Sequence, residues 1–298
     1  MAGLKYLGLS LVLGALSVWG SENLFWMMPP PGLTPLDFGL TLIAYSVAAG
    51  VALSAVIWSG IGGISAAFLG GAVMGLMSEG VIVGTIYEGF PLQLVWTPLA
   101  WHGVMTGGVV LGLGRAVWPV WRMVGLWVLV GLAGAYWAQY WVAERVGVPE
   151  PGEFALYILG LGLLVPVAHW AMDRARVLPK PRAWVLWVAP GIAGAVWGLQ
   201  SVIEPNPVRL VLPVLLVWIL WVMWRLGGQA VELRAGPAAR HLLFLIAPVL
   251  VVVLAPLGWA QGWGTLEANW VVAVSASLIA VMWLGRLSWQ AIVTPRGP

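Results

Sequence analysis

The sequence predicts an all-α fold, a polytopic transmembrane bundle of about ten helices with the N-terminus and C-terminus both cytoplasmic. Three observations predict it. Of 298 residues, 61% are hydrophobic and only 8% charged, against about 25% charged in a soluble globular domain. The 22 tryptophans suit the boundary between lipid tails and headgroups, where an apolar ring with one N–H donor is at home. The apolar residues also fall into repeated runs of the length that crosses a bilayer, about 20 residues.

Each run is justified in turn by unbroken apolar composition and by the connection that ends it. The first spans 3–20, with Lys5 at its start; Trp19 and Glu22 stand where a cleavable signal would need small residues, so it is read as an uncleaved helix. The second, 36–58, follows a proline-rich turn. The third, 61–86, and fourth, 91–113, form a tight antiparallel pair around Tyr87, Glu88 and Gly89. The fifth covers 119–142 and the sixth 153–172, joined through Pro149 and Pro151. After the basic loop with Arg174, Arg176, Lys180 and Arg182 come 183–203 and 208–226, and then 241–260 and 268–288. Pro166, Pro190, Pro213, Pro248 and Pro256 fall inside the later runs and predict kinks. In lipid every backbone polar group must be satisfied within its own helix, so these runs are helices.

Orientation follows from the excess of Lys and Arg on cytoplasmic loops. With the N-terminus inside, Lys5, Arg115, Arg122, Arg174, Arg176, Lys180, Arg182, Arg225, Arg234, Arg240, Arg286 and Arg296 are cytoplasmic, and only Arg145 and Arg209 lie outside. Most acids take the other side: Glu22, Asp37, Glu88, Glu144, Glu150, Glu153, Glu204 and Glu267. A miscounted helix would scramble this alternation. The location expected is a plasma membrane of the bacterial inner-membrane type. The chain reads as a single integral membrane domain, 1–298, with five-plus-five halves, 1–148 and 149–298, that would have opposite orientation.

Absences exclude several functions. With no cysteine, disulfides, thiolate metal sites and iron–sulfur clusters are ruled out. No HExxH pair, P-loop, dinucleotide fingerprint or GxSxG stands in a suitable context, so neither a cofactor nor a metal is predicted. His169 and His241 belong near cytoplasmic helix ends, beside Arg174 and Arg240, on the wrong side to join His102. The net charge of +3 is topological, which excludes nucleic acid as a partner. Membrane lipids are the partners expected, together with a small-molecule or lipid substrate and, in a third reading, further subunits.

An ionisable residue inside a bilayer marks a functional site by default. Glu79 is the main case. It lies two turns before the outer end of the third run, and Gly71, Gly75 and Glu79 share one helical face on which small residues admit a neighbouring backbone. In the fourth run Pro98, His102 and Thr106 share a face, which puts His102 within about one turn of Glu79 in depth. Pro98 removes an intrahelical bond in the same layer. The expected site is therefore Glu79 and His102, with Tyr87, Glu88, Trp96, Thr97 and Thr106 around them, lining a cavity open to the outer face. Glu22 and Asp37 are read as loop acids. The tryptophans Trp118, Trp121, Trp127, Trp137, Trp141, Trp184, Trp187, Trp218, Trp221 and Trp224 are read as anchors and packing.

In length, helix count and predicted ends, and in Val18-Trp19-Gly20-Ser21 and the fourth-helix Pro98, the chain loosely resembles the drug/metabolite transporter class. Helices six to ten carry no matching pattern, and the chain is not assigned to it. The function expected is a transporter or permease for a small or amphipathic solute, proton-linked through Glu79. The alternatives are a membrane-embedded enzyme on a lipid or isoprenoid substrate, with Glu79 and His102 as acid and base, and a non-catalytic subunit or assembly factor.

Overall fold

In the computed structural model, residues 2–28, 32–145, 147–175, 178, 180–228 and 237–294 are described. The side chain of Arg145 and the residues Arg176, Arg234 and Arg296 lie outside them. Helix makes up 85% of the described residues, which contain no strand. Among the described residues, ten helices are long and apolar enough to cross a membrane: α1 Ala2–Asn23, α2 Pro35–Ser59, α3 Gly63–Ile82, α4 Leu92–Arg115, α5 Val120–Glu144, α6 Pro151–Asp173, α7 Ala183–Ile203, α8 Pro207–Leu226, α9 Ala238–Ala260 and α10 Glu267–Val293. They coincide with the ten apolar runs because lipid leaves the backbone no other way to satisfy its polar groups.

Contacts between elements separate two ends of the bundle. At one end the indole of Trp141 donates to the Phe25 carbonyl at 2.9 Å, the Tyr157 hydroxyl to the Asn23 carbonyl at 2.8 Å, and the Thr265 N–H to the Gln139 carbonyl at 3.3 Å. At the other the Gly228 N–H donates to the Ser59 carbonyl at 3.3 Å, the Arg225 guanidinium to the Ala291 carbonyl at 2.8 Å, and the Trp170 indole to the Ala238 carbonyl at 2.8 Å. The chain alternates between these ends. The second is called the opposite end below.

The α3–α4 pair is the most intimate contact, followed by α5 with α9 and α1 with α2. Two glycines explain the first: a Cβ at Gly71 would sit 2.4 Å from the His102 carbonyl oxygen, and one at Gly75 2.4 Å from that of Pro98. No residue larger than glycine permits that approach without displacing backbone. By contrast α7 buries only Ala189 and Ala193 and presents Trp184, Trp187, Val202 and Ile203 outward. Such a face belongs against lipid.

Several local readings change. Pro166, Pro190 and Pro256 lie inside helices, while Pro213 and Pro248 sit in the first turn of their α-helical stretches. Each of these stretches is preceded without a break by a 3₁₀ segment of the same span, Pro207–Leu210 or Ala238–Leu245, so both prolines lie just after the helical bonding pattern changes. Of the tryptophans, Trp137 and Trp141 join Trp96 and Trp101 in an edge-to-face cluster, Trp127 is fully buried, and Trp121, Trp184 and Trp187 are exposed.

Candidate functional site

Three helices lose their regular α register where their ionisable groups stand. The last turns of α1 (Val18–Asn23), the end of α3 (Ser78–Ile82) and most of α4 (Trp96–Gly112) are π-helical, with i→i+5 bonding. Each stretch carries one ionisable residue: Glu22, Glu79 and His102. A π turn adds a residue to the helical repeat and rotates the side chains after it, and such turns are frequent at functional sites. In α4 the change begins beside Pro98, which has no N–H for the α ladder.

These three side chains converge. His102, only 1% exposed, has Nε2 3.1 Å from Glu79 Oε1 and 3.9 Å from Glu22 Oε2. Its Nδ1 lies 3.4 Å from the Ser17 hydroxyl. The Tyr45 hydroxyl of α2 donates to Glu22 Oε2, and the Thr85 hydroxyl, beyond α3, donates to Glu79 Oε2. The Tyr45 ring stands 6.2 Å from the imidazole. One aromatic nitrogen thus faces two carboxylates, and each carboxylate also accepts from a hydroxyl on another element. With both carboxylates ionised the cluster bears a charge of −2 around a neutral imidazole or −1 around an imidazolium. A buried negative group of that size has to be matched by a bound cation or proton.

Beside the cluster lies a cavity of about 760 Å³ between α1, α2, α3 and α4, walled by groups such as Leu9, Leu16, Leu53 and Met74. Its inner end is Thr106, whose hydroxyl is 2.6 Å from that of Ser21, the residue beside Glu22. Its other end reaches Ile64, Arg115 and Val117, and both apolar residues there are exposed. The space approaches the cluster from the opposite end of the bundle, where Arg115 and Trp118 line it, and its lining does not include Tyr87 or Glu88.

The structure brings together Glu79, His102 and Thr106 from the sequence-based set and leaves the others apart. Tyr87 donates its hydroxyl to the Gly80 carbonyl at 2.8 Å and lies under the Arg209 guanidinium, 4.7 Å from its ring centre. Glu88 is exposed at the hairpin tip. Trp96 packs against Trp101 and Trp137, and Thr97 bonds back to the Gln93 carbonyl at 3.0 Å. Glu22, read as a loop acid, is instead part of the cluster, because α1 runs on in π register to Asn23 and turns its side chain inward. Asp37 does cap a helix: it forms a reciprocal capping box with Thr34 at the start of α2. Sequence reasoning also missed Tyr45, Ser17, Ser21 and Thr85, whose types carry no signal in an apolar chain.

A second polar group occupies the opposite end. Asp173 accepts from the Arg115 guanidinium at 2.5 Å and meets His241 Nε2 at 2.8 Å, while the rings of His169 and His241 stack 4.9 Å apart. The two histidines were expected beside Arg174 and Arg240. They meet each other instead because α6 and the first turns of α9 cross there. Comparison with protein-family models, with curated proteins and with solved structures finds no match to this chain.

Proposed function

We propose that the protein is a membrane carrier or permease for a small amphipathic solute. The cavity between α1 and α4 is the solute's path in this reading, and the Glu22–Glu79–His102 cluster is the polar point where that path ends. One observation carries the proposal: an apolar space of about 760 Å³ stops at Thr106, one hydroxyl pair away from a buried carboxylate–imidazole cluster. An apolar wall accepts the tail of an amphipathic molecule, and a few converging polar groups set its orientation. Opening the Ser21–Thr106 bond would join the two.

The orientation proposed has both ends in the cytoplasm of a cell with a single bounding plasma membrane or a bacterial inner membrane. It rests on the cations Arg115, Arg174, Lys180, Arg182, Arg225 and Arg240, which belong to the connections and helix ends of the opposite end. The cavity then faces the cytoplasm and the cluster lies toward the outside.

The test is uptake by proteoliposomes of a panel of amphipathic solutes, with and without an imposed pH gradient. Solute accumulation by the wild type that falls at least about tenfold in Glu79→Gln supports the proposal, and dependence on the gradient identifies the proton as the coupled ion. If no member of the panel crosses faster than through protein-free vesicles, while one is chemically converted, the enzyme reading replaces it.

A further inference from the structure

We propose that Glu22, Glu79 and His102 form a binding site for one divalent first-row transition-metal ion. The inference goes beyond the carrier reading and stands on the geometry of the cluster whether or not the cavity holds a solute.

The donor set and spacing are those of a metal site. One ligand atom from each residue can be chosen so that all three lie within 4.8 Å of one another. Two of the separations are 3.1 Å and 3.9 Å. Donors about 2.0 to 2.2 Å from a common ion in tetrahedral arrangement stand about 3.3 to 3.6 Å apart, so these two separations need to change by only a few tenths of an ångström. One imidazole nitrogen with two carboxylate oxygens favours borderline ions over soft ones. Three protein ligands leave at least one coordination position open.

The surroundings supply what a metal-binding imidazole and carboxylate require. Ligating histidines direct the other ring nitrogen to a fixed partner, and ligating carboxylates are themselves hydrogen-bonded. Here Nδ1 faces Ser17, so Nε2 is the atom turned to the carboxylates. Thr85 holds Glu79 by Oε2 and leaves Oε1 turned inward. Tyr45 holds Glu22. Those partners come from three separate places in the chain: Ser17 of α1, Tyr45 in the middle of α2 and Thr85 in the α3–α4 connection. A divalent ion also answers the charge of the cluster, since among the described residues the two carboxylates share one imidazole as ion-pair partner. When the ion binds, the proton shared by Nε2 and Glu79 leaves to solvent.

The full-length chain, purified in detergent and stripped with a chelator, is titrated with Co²⁺ and separately equilibrated with Zn²⁺. The expected result is a d–d absorption band that saturates near one equivalent and about one Zn²⁺ per chain by elemental analysis. Glu79→Gln and His102→Gln weaken binding at least about tenfold, and Tyr45→Phe, which removes the hydroxyl bonded to the Glu22 Oε2 that faces His102, weakens it about 10- to 100-fold. Glu88→Gln, a change of an exposed acid, leaves it unaltered. A wild-type protein that holds no more Zn²⁺ than the Glu79→Gln, His102→Gln double variant overturns the site, as does a band that survives in that variant. Should the variants aggregate, the stripped wild type decides alone, and absence of the Co²⁺ band overturns the proposal. Failure of solute uptake in vesicles leaves this result untouched, so the two readings fail separately.

Discussion

Glu22 shows how little a residue's own neighbourhood says about its part in a membrane protein. It stands one position before the end of α1 and shortly before a run of prolines, the setting of a loop acid. Its partners come from 23 and 80 residues further along, through Tyr45 and His102. Glu79 and His102 were legible because each interrupts a long apolar run, where an unneeded ionised side chain costs about 3 kcal/mol. Tyr45 was not, since a tyrosine on an apolar helix is an ordinary packing group. At this scale, Tyr45→Phe removes a donor from a buried carboxylate and is expected to cost about 1 to 3 kcal/mol. Thermal unfolding in detergent measures it, and an unchanged midpoint would show that Glu22 has no need of the hydroxyl.

Among the elements, the α3–α4 pair determines where His102 stands. A Cβ at Gly75 would lie 2.6 Å from the Pro98 Cα and 2.7 Å from the His102 Cβ. Gly75→Ala should therefore push the two backbones apart, destabilise the protein by about 1 to 3 kcal/mol and weaken Co²⁺ binding at the cluster. Normal metal binding with normal stability would show that the contact yields freely. The latch of Arg115, Asp173 and His241 ties α4, α6 and α9 at the opposite end. Removing its shared acceptor in Asp173→Ala takes the carboxylate away from a largely buried guanidinium that keeps the His169 carbonyl at 3.3 Å, an effect of about 3 to 5 kcal/mol that a shift in the unfolding midpoint would register. The pairing of Gly71 and Gly75 with a neighbouring backbone was readable from their four-residue spacing. The π-helical stretches were not, because in runs that are apolar on nearly every side nothing marks where the bonding changes from i→i+4 to i→i+5.

For the whole molecule, the alternation of basic connections makes a prediction that the chain's lack of cysteine renders easy to check. A single cysteine at Lys180 should react with an impermeant thiol reagent only after cells are opened, and one at Glu88 in intact cells. The reverse pattern would invert the molecule and point the cavity outward. What the sequence determined by itself is the number, length and order of the spans, because lipid as solvent demands helices that are apolar throughout and satisfy their own backbones. The tertiary structure alone decided that α1, α3 and α4 bring two carboxylates and an imidazole to one point, and that the adjoining cavity enters from the opposite end. Side-chain convergence depends on how closely backbones approach and on the helical register at each site, and neither is written in hydropathy.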